Sequence, residues 1–369
     1  MERFHLSNLN FKILVKLKFL QMKKEKLIIG MPAGSLANVS RGGNVIQLLK
    51  NAGFETRGYE HGGPTEFKSI NYLFGWDGRP QEFGSQLGIQ ELDVAIAGAD
   101  WIKERILELK MEYNTDLAIE EVLPLNRGRV RIVGIAPKGA PDNVDDLLNN
   151  LCRSKDMITI VSEMPYIALN WVQEKLKSIG KFEEFKNFSV QKYKTPSKIQ
   201  KGVIIYETWG KTEAKVKNGG ADIGVEITQS GSALCNYDLK IIDEIMVSQT
   251  GIYINPVIKK DPDKAQLLRM FLLNLYGSVN AENKVFILFN VPNEALPEMK
   301  SYLQENNLFA DEPTINQGTT HSQLSIQVDT KQHDLPLAKI RFELALRKAV
   351  NIDTIPIDSS IASINVLDF

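Results

Sequence analysis

Residues 219–234 read Gly-Gly-Ala-Asp-Ile-Gly-Val-Glu-Ile-Thr-Gln-Ser-Gly-Ser-Ala-Leu. From Ala221 to Ile227 the run is apolar or small except for Asp222 and Glu226, which reads as a buried strand. Thr228 to Ser232 then forms a short segment rich in hydroxyls and glycine. Small residues after a buried strand let a phosphate approach the backbone N–H groups, and a carboxylate at the strand end can hold a metal that neutralises it. The same residues also fit a plain strand-to-turn junction whose hydroxyls cap the next element.

Outward from that stretch, the chain alternates strands and helices. Lys26 to Met31 reads as a fully buried strand, followed by the turn Pro32 to Leu36 and a helix carrying Val45, Ile46, Leu48, Leu49 and Ala52, closed by Gly53. Phe54 to Tyr59 is the next expected strand, so this is the opening of a βαβ unit. Tyr59 to Pro80 shows no clean period, and Phe83 to Ile89 reads as a short helix. Leu92 to Asp100 reads as a strand and small-residue turn, with a helix from Trp101 to about Leu109. Further strands are expected at Val130 to Ala136, Ile158 to Val161, Phe188 to Tyr193 and Val203 to Tyr206, and a helix at Tyr166 to Ile179. Leu92 to Ala97 and Ala221 to Glu226 share one pattern, an Asp one residue into an alternation of branched and small residues. That suggests two similar α/β lobes facing a cleft, as in two-domain binding proteins.

Ile241 to Ile254, interrupted at Ser248-Gln249-Thr250-Gly251, reads as return strands, and Pro262 to Tyr276 as a helix. From Val285 onward, strands and helices alternate as in a small split-βαβ module. The expected organisation is an N-terminal extension at 1–25, a discontinuous first lobe at 26–136 and 240–280, a second lobe at 137–239, and a C-terminal domain at 284–369. Residues 1–21 read as dispensable. Phe11 to Leu20 is broken by Lys12, Lys16 and Lys18, which is neither a membrane span nor a secretory signal. A formal net charge of −1 gives no global footprint for nucleic acid, so any anion site is local. Two cysteines, Cys152 and Cys235, form no metal spacing and suggest a reducing, cytoplasmic setting, while four scattered histidines argue against a histidine metal cluster.

These residues resemble the ATP phosphoribosyltransferase family. Ala221 to Glu226 followed by Ser230-Gly231-Ser232-Ala233-Leu234 resembles its phosphoribosyl-diphosphate loop, Ala-Asp-x-x-x-Asp, three residues, then Thr/Ser-Gly-x-Thr-Leu. Gly210 to Glu213 resembles the family's Gly-x-x-Glu. Arg79-Pro80-Gln81-Glu82 with Leu92 to Asp100 resembles Arg-Pro-x-Asp followed by Leu-Asp-x-Gly-Ile-x-Gly-x-Asp. Ser162 to Trp171, Asn290-Val291-Pro292 and Glu312-Pro313-Thr314 resemble later landmarks, the last two in the regulatory domain of the long form. The resemblance implies a type II periplasmic-binding-protein-like catalytic core plus a ferredoxin-like or ACT-like C-terminal domain. It implies condensation of ATP with phosphoribosyl diphosphate, the first step of histidine biosynthesis, with histidine as feedback inhibitor and a loop for it at Gln317 to Thr320. A homohexamer in exchange with dimers is implied, with no nucleic-acid or membrane partner.

By the same resemblance, Glu213 and Glu226 hold Mg²⁺ and, with Asp100, form the catalytic set. Thr228, Gln229, Ser230, Gly231, Ser232, Ala233 and Leu234 bind phosphoribosyl diphosphate; Gly34, Ser35, Arg79 and Asp100 line the nucleotide wall. On their residue types alone, Glu213 fits a solvated helix position and Asp100 a helix N-cap. The sequence also departs from the family. Ala33-Gly34-Ser35-Leu36 lacks two basic residues usual there, Glu163 stands where lysine is common, Ala233 replaces a hydroxyl, and Glu226 and Glu82 replace aspartates. Fewer cations weaken a polyphosphate site unless Lys211, Arg57 or Arg41 compensates. Two rivals follow: a bilobal anion-binding protein without catalysis, and a catalytically silent regulatory paralogue.

Overall fold

A computed structural model describes residues 26–37, 43–61, 64–68, 70–308 and 314–367. The expected extension at 1–25, Arg41 and the Glu312-Pro313 landmark lie outside the described residues, as does the Ser35 side chain. The chain divides into two compact units, Met1–Ile46 with Glu55–Leu268, and Gln47–Phe54 with Arg269–Phe369. No described helix is long and apolar enough to cross a membrane.

In chain order the elements are β1 (Leu27–Pro32), α1 (Val45–Asn51), β2 (Thr56–Arg57), β3 (Glu66–Phe67), β4 (Leu73–Gly78), α2 (Pro80–Gly88), β5 (Val94–Gly98), α3 (Ala99–Tyr113) and β6 (Glu120–Pro137). There follow α4 (Val144–Ser154), β7 (Met157–Ser162), α5 (Pro165–Ser178), α6 (Phe182–Phe185), β8 (Phe188–Lys192), β9 (Gly202–Glu207), α7 (Thr212–Lys217), β10 (Ile223–Thr228), α8 (Ser232–Cys235) and β11 (Leu239–Ile254). The helix α9 (Pro262–Ala281) leads into β12 (Lys284–Pro292), α10 (Leu296–Glu305), β13 (Thr314–Asn316), β14 (His321–Asp329), α11 (Leu337–Leu346) and β15 (Val350–Pro356).

The first unit is built on one sheet of order β4-β1-β5-β11-β6-β10-β7-β9-β8. At one end β4, β1 and β5 run parallel; at the other β10, β7, β9 and β8 do. The long strands β6 and β11 pair antiparallel with each other and with the flanking β10 and β5, so they run through both lobes. Strands such as β1, Leu-Ile-Ile-Gly-Met-Pro with every residue buried, are apolar throughout because helices cover both faces. In the first lobe Phe83, Leu87 and Ile102 pack on Ile28, Ala95 and Ala97; in the second, Leu148, Ile167, Trp171 and Val172 pack on Ile158, Ile160, Val203 and Ile205.

Three sequence expectations change. Phe54 to Tyr59 is not a strand of a parallel βαβ unit: Thr56–Arg57 pairs antiparallel with Glu66–Phe67 in a separate ribbon. Arg57 is exposed, so this segment lacks the second buried face that a central parallel strand needs. The neighbour of β1 is instead β4, Leu-Phe-Gly-Trp-Asp-Gly, which has no β-branched residue to announce it. The interruption at Ser248 to Gly251 does not break β11 in two; it is absorbed by register shifts between Ser248 and Thr250 and between Thr250 and Gly251.

The second unit carries an antiparallel sheet of order β13-β14-β12-β15 built from a β-α-β-β-α-β run, the ferredoxin-like arrangement. Ile287, Phe289, Leu324, Ile326, Met299, Leu303, Ile340 and Leu344 form its core. In this unit Phe54 also packs on Phe271 with ring centroids 5.1 Å apart.

Candidate functional site

A cleft of about 850 Å³ opens in the first unit at the carboxyl ends of its parallel strands. Ala33 and Gly34 follow β1, Arg79 follows β4, Asp100 follows β5, Trp209 follows β9, and Thr228 ends β10; all line it. Such ends are where open α/β sheets place ligands, because the loops there are free of the ladder. Gly34 adopts φ +81°, a left-handed conformation costly for any side chain with a Cβ.

Asp100 lies in the first turn of α3, and Gly98 is the N-cap, so the capping role that residue type alone allows is not the one it fills. Its Oδ1 accepts from the Trp101 N–H at 2.9 Å, while its own N–H donates to Ser248 Oγ at 3.0 Å. Burial pushes its carboxyl above the usual range, opposed by these hydrogen bonds.

Of the expected phosphoribosyl-diphosphate residues, Thr228 and Gln229 line the cleft; Ser230, Gly231, Ser232, Ala233 and Leu234 do not. Leu234 is buried in the hydrophobic cluster with Val133, Ile135 and Leu239. Gly231 takes φ +75°, and the loop's hydroxyls hold two of its backbone N–H donors. The Gly231 N–H donates to Thr228 Oγ1 at 2.9 Å, the Ser232 N–H to Ser230 Oγ at 3.3 Å, and the Ser230 and Ser232 hydroxyls sit 2.9 Å apart. A phosphate could be seated here only by taking over donors that the loop's hydroxyls hold.

Glu213 and Glu226 stand on α7 and β10 and are not among the residues lining the cleft. Glu226 is pushed up to about 7, first by burial, then by the neighbouring Glu213, with Glu163 adding to it; the Thr212 hydroxyl and the Ile227 N–H act against the shift. Glu163, the departure from the usual lysine, thus adds negative charge to this corner. Mutually repelling oxygen donors suit a hard divalent cation. Among the described residues no three His, Cys, Asp or Glu side chains gather closely enough to hold an ion by themselves. Substrate oxygens and water would have to complete its shell.

The cleft also holds residues outside the expected site set: Gln81, Trp101, Gly128, Val130, Trp209, Ser248 and Thr250. Gln81 and Trp209 follow strand ends just as Arg79 and Asp100 do, so position along the βα repeat was the available signal. Ser248 and Thr250 carried none beyond a polar break in an apolar run. Arg79 lines the cleft with Gly34 and Asp100, as expected; of the compensating cations, neither Lys211 nor Arg57 does.

The family model described as ATP phosphoribosyltransferase matches residues 79–275. An ATP phosphoribosyltransferase of Desulfosudis oleivorans is 27% identical over 291 residues, covering 76% of this chain and 82% of that protein. One of Solidesulfovibrio magneticus is 25% identical over 334 residues, covering 88% of this chain and 98% of that protein. A solved ATP phosphoribosyltransferase complex from Thermotoga maritima matches with a TM-score of 0.46 at 20% identity, covering 68% of this chain and 98% of that one.

Proposed function

The chain belongs to the ATP phosphoribosyltransferase family, and on that footing we propose how its residues carry the reaction. The enzyme condenses ATP with phosphoribosyl diphosphate to phosphoribosyl-ATP and pyrophosphate, the first step of histidine biosynthesis. The lone pair of adenine N1 forms a bond to the anomeric carbon as the bond from that carbon to the diphosphate oxygen breaks. Positive charge builds on the sugar and negative charge on the leaving group, so preorganised polar groups matter more than any protein nucleophile.

The supporting observation is the meeting of Gly34, Arg79, Asp100, Thr228 and Gln229 around one cleft. Asp100 is held by Trp101 and Ser248 beside the nucleotide, where its carboxylate answers the positive charge on the sugar. Arg79 pairs with phosphate oxygens. The hydroxyl–glycine loop from Thr228 to Leu234 binds the 5′-phosphate once its internal hydrogen bonds are exchanged. The chemistry calls for a metal ion. Our reading is Mg²⁺ with Glu213 and Glu226 as its carboxylates, which would supply charge neutralisation of the departing pyrophosphate.

The C-terminal unit is read as the histidine-sensing part. Asn293 supports the Gln317–Thr320 loop by donating to the carbonyls of Gly318 and Thr319 at 2.9 and 3.2 Å and accepting from Ser322 Oγ at 2.7 Å. A homo-oligomer in the cytoplasm completes the reading. The test mixes the protein with ATP, phosphoribosyl diphosphate, Mg²⁺ and pyrophosphatase and follows phosphoribosyl-ATP by its near-ultraviolet absorbance, with and without histidine. Product suppressed by histidine is expected. Product indifferent to histidine removes the regulatory assignment; retention of phosphoribosyl diphosphate without product removes the catalytic roles.

A further inference from the structure

Adenine N1 spends its lone pair in the reaction, so an enzyme that must choose ATP has to read the base elsewhere: its face, its exocyclic amine and its other ring nitrogens. The cleft offers one group for each. Trp209 lines it with 72% of its surface exposed, an unusual position for the largest apolar side chain unless a flat ligand covers it. Gln81 lines it with an Oε1 that is buried and has no hydrogen-bond partner. Thr250 lines it, is 0% exposed, and its Oγ1 also lacks a partner. A buried polar atom without a partner is costly in the free protein, and a ligand that supplies the partner recovers that cost.

The charge pattern points the same way. Among the described residues lining the cleft, Arg79 is the one cation and Asp100 the one anion. That is a poor electrostatic match for a triphosphate and leaves much of the affinity to the base.

We propose that Trp209, Gln81 and Thr250 are the base-recognition residues of this cleft. The indole of Trp209 stacks on the purine. Gln81 Oε1 accepts from the exocyclic amine, and the Thr250 hydroxyl donates to a ring nitrogen other than N1. This rests on the reading of the chain as an ATP phosphoribosyltransferase. It makes Trp209 a sequence-blind platform and Gln81 the residue that separates a 6-amino from a 6-oxo purine.

The test titrates the full chain with ATP and with ITP by calorimetry, without phosphoribosyl diphosphate so that nothing turns over. Wild-type protein is expected to bind ATP about tenfold or more tightly than ITP, since the 6-oxo group faces an acceptor and leaves it unpaired. Trp209→Ala weakens both nucleotides together by about tenfold or more, and Trp209→Phe restores most of the loss. Gln81→Leu brings the two affinities close to parity. Thr250→Val removes a hydroxyl that makes no bond in the free protein, so it weakens ATP about fivefold while the melting temperature of the free protein stays level or rises. A purely structural threonine would lower that temperature and leave the affinity alone.

Trp209→Ala within about twofold of wild type, or Gln81→Leu that keeps the ATP preference, overturns the assignment, as does a wild-type protein that binds neither nucleotide. Turnover measured on the same preparations separates the two readings. Product formed by Trp209→Ala with an unchanged KM for ATP removes the base site and leaves the reaction standing. No product from wild type, with the binding losses as described, keeps the base site and removes the reaction.

Discussion

The Asp100 N–H and Ser248 Oγ are joined at 3.0 Å across 148 positions of sequence, and both residues line the cleft. The bond ties the first turn of α3 to the irregular part of β11. Asp100 is 5% exposed and Ser248 1%, so neither has water to fall back on. Ser248→Ala leaves the Asp100 N–H buried without this acceptor and is expected to cost about 1–2 kcal/mol of stability, read from urea midpoints. Its effect on turnover should exceed its effect on nucleotide affinity. Equal losses would mean that Ser248 contacts the nucleotide directly.

Asp100→Asn keeps the size of the side chain and removes its charge. With Asp100 opposite the developing positive charge, kcat is expected to fall about a hundredfold with little change in melting temperature. A variant with wild-type kcat would show that the carboxylate serves only the local hydrogen bonds.

Glu213→Gln is expected to reduce turnover sharply and leave the fold intact. Glu226→Gln should do the same and, above pH 7, stabilise the free protein by about 1 kcal/mol, because it removes a buried charge that repels Glu213 and Glu163. Turnover unchanged in both variants, at any Mg²⁺ concentration, would dismiss the metal assignment.

Glu104 shares the pH dependence with Glu226, both being raised to about 7. Its Oε1 and Oε2 accept from the N–H groups of Tyr166 and Ile167 at 2.9 and 2.7 Å, capping α5 from α3. Burial, only partly offset by those bonds, raises it from 4.5 to about 7. The folded chain therefore holds a proton that the unfolded chain has released between those values. The stability contribution is complete below pH 4.5 and is lost as pH rises through about 7. Urea midpoints across that window should fall with pH in the wild type and fall less in Glu104→Gln; identical slopes would refute the linkage.

Gly231→Ala probes the loop. At φ +75° an added Cβ is strained by about 1 kcal/mol, and the loop's hydrogen bonds shift with it. A KM for phosphoribosyl diphosphate raised about tenfold, with ATP affinity unchanged, is the expected split. Equal rises for both substrates would move the loop's role toward general folding.

The strands that are buried on both faces were legible from their apolar runs, and so were the helices after β1, β5 and β7, whereas the short α7 and α8 after β9 and β10 were not; β1, β5, β7, β9 and β10 all lie where branched and small residues alternate or cluster. The ferredoxin-like unit was legible from the order of its elements. What could not be read were elements whose residues serve two purposes. β4 carries Trp76 and Asp77 on an edge, and β11 carries Ser248 and Thr250, polar residues spent on the cleft inside an otherwise apolar strand. The cleft followed the same division. Arg79, Asp100 and Thr228 came from motifs, whereas Trp209 and Gln81 matter through an exposed ring and an orphaned oxygen, which arise only once the chain is folded.

The two long strands β6 and β11 run through both lobes without a break, so they act as a leaf spring. The lobes are joined through this continuous pair, whose pairing shifts register at five places, two of them at Ser248/Thr250 and Thr250/Gly251. That irregular stretch carries Thr250, which is proposed to meet the base, and Ser248, which tethers Asp100. A change of twist in this stretch would move the Thr250 hydroxyl and the Ser248 tether to Asp100 together, which couples the shape of the cleft to the alignment of its chemistry.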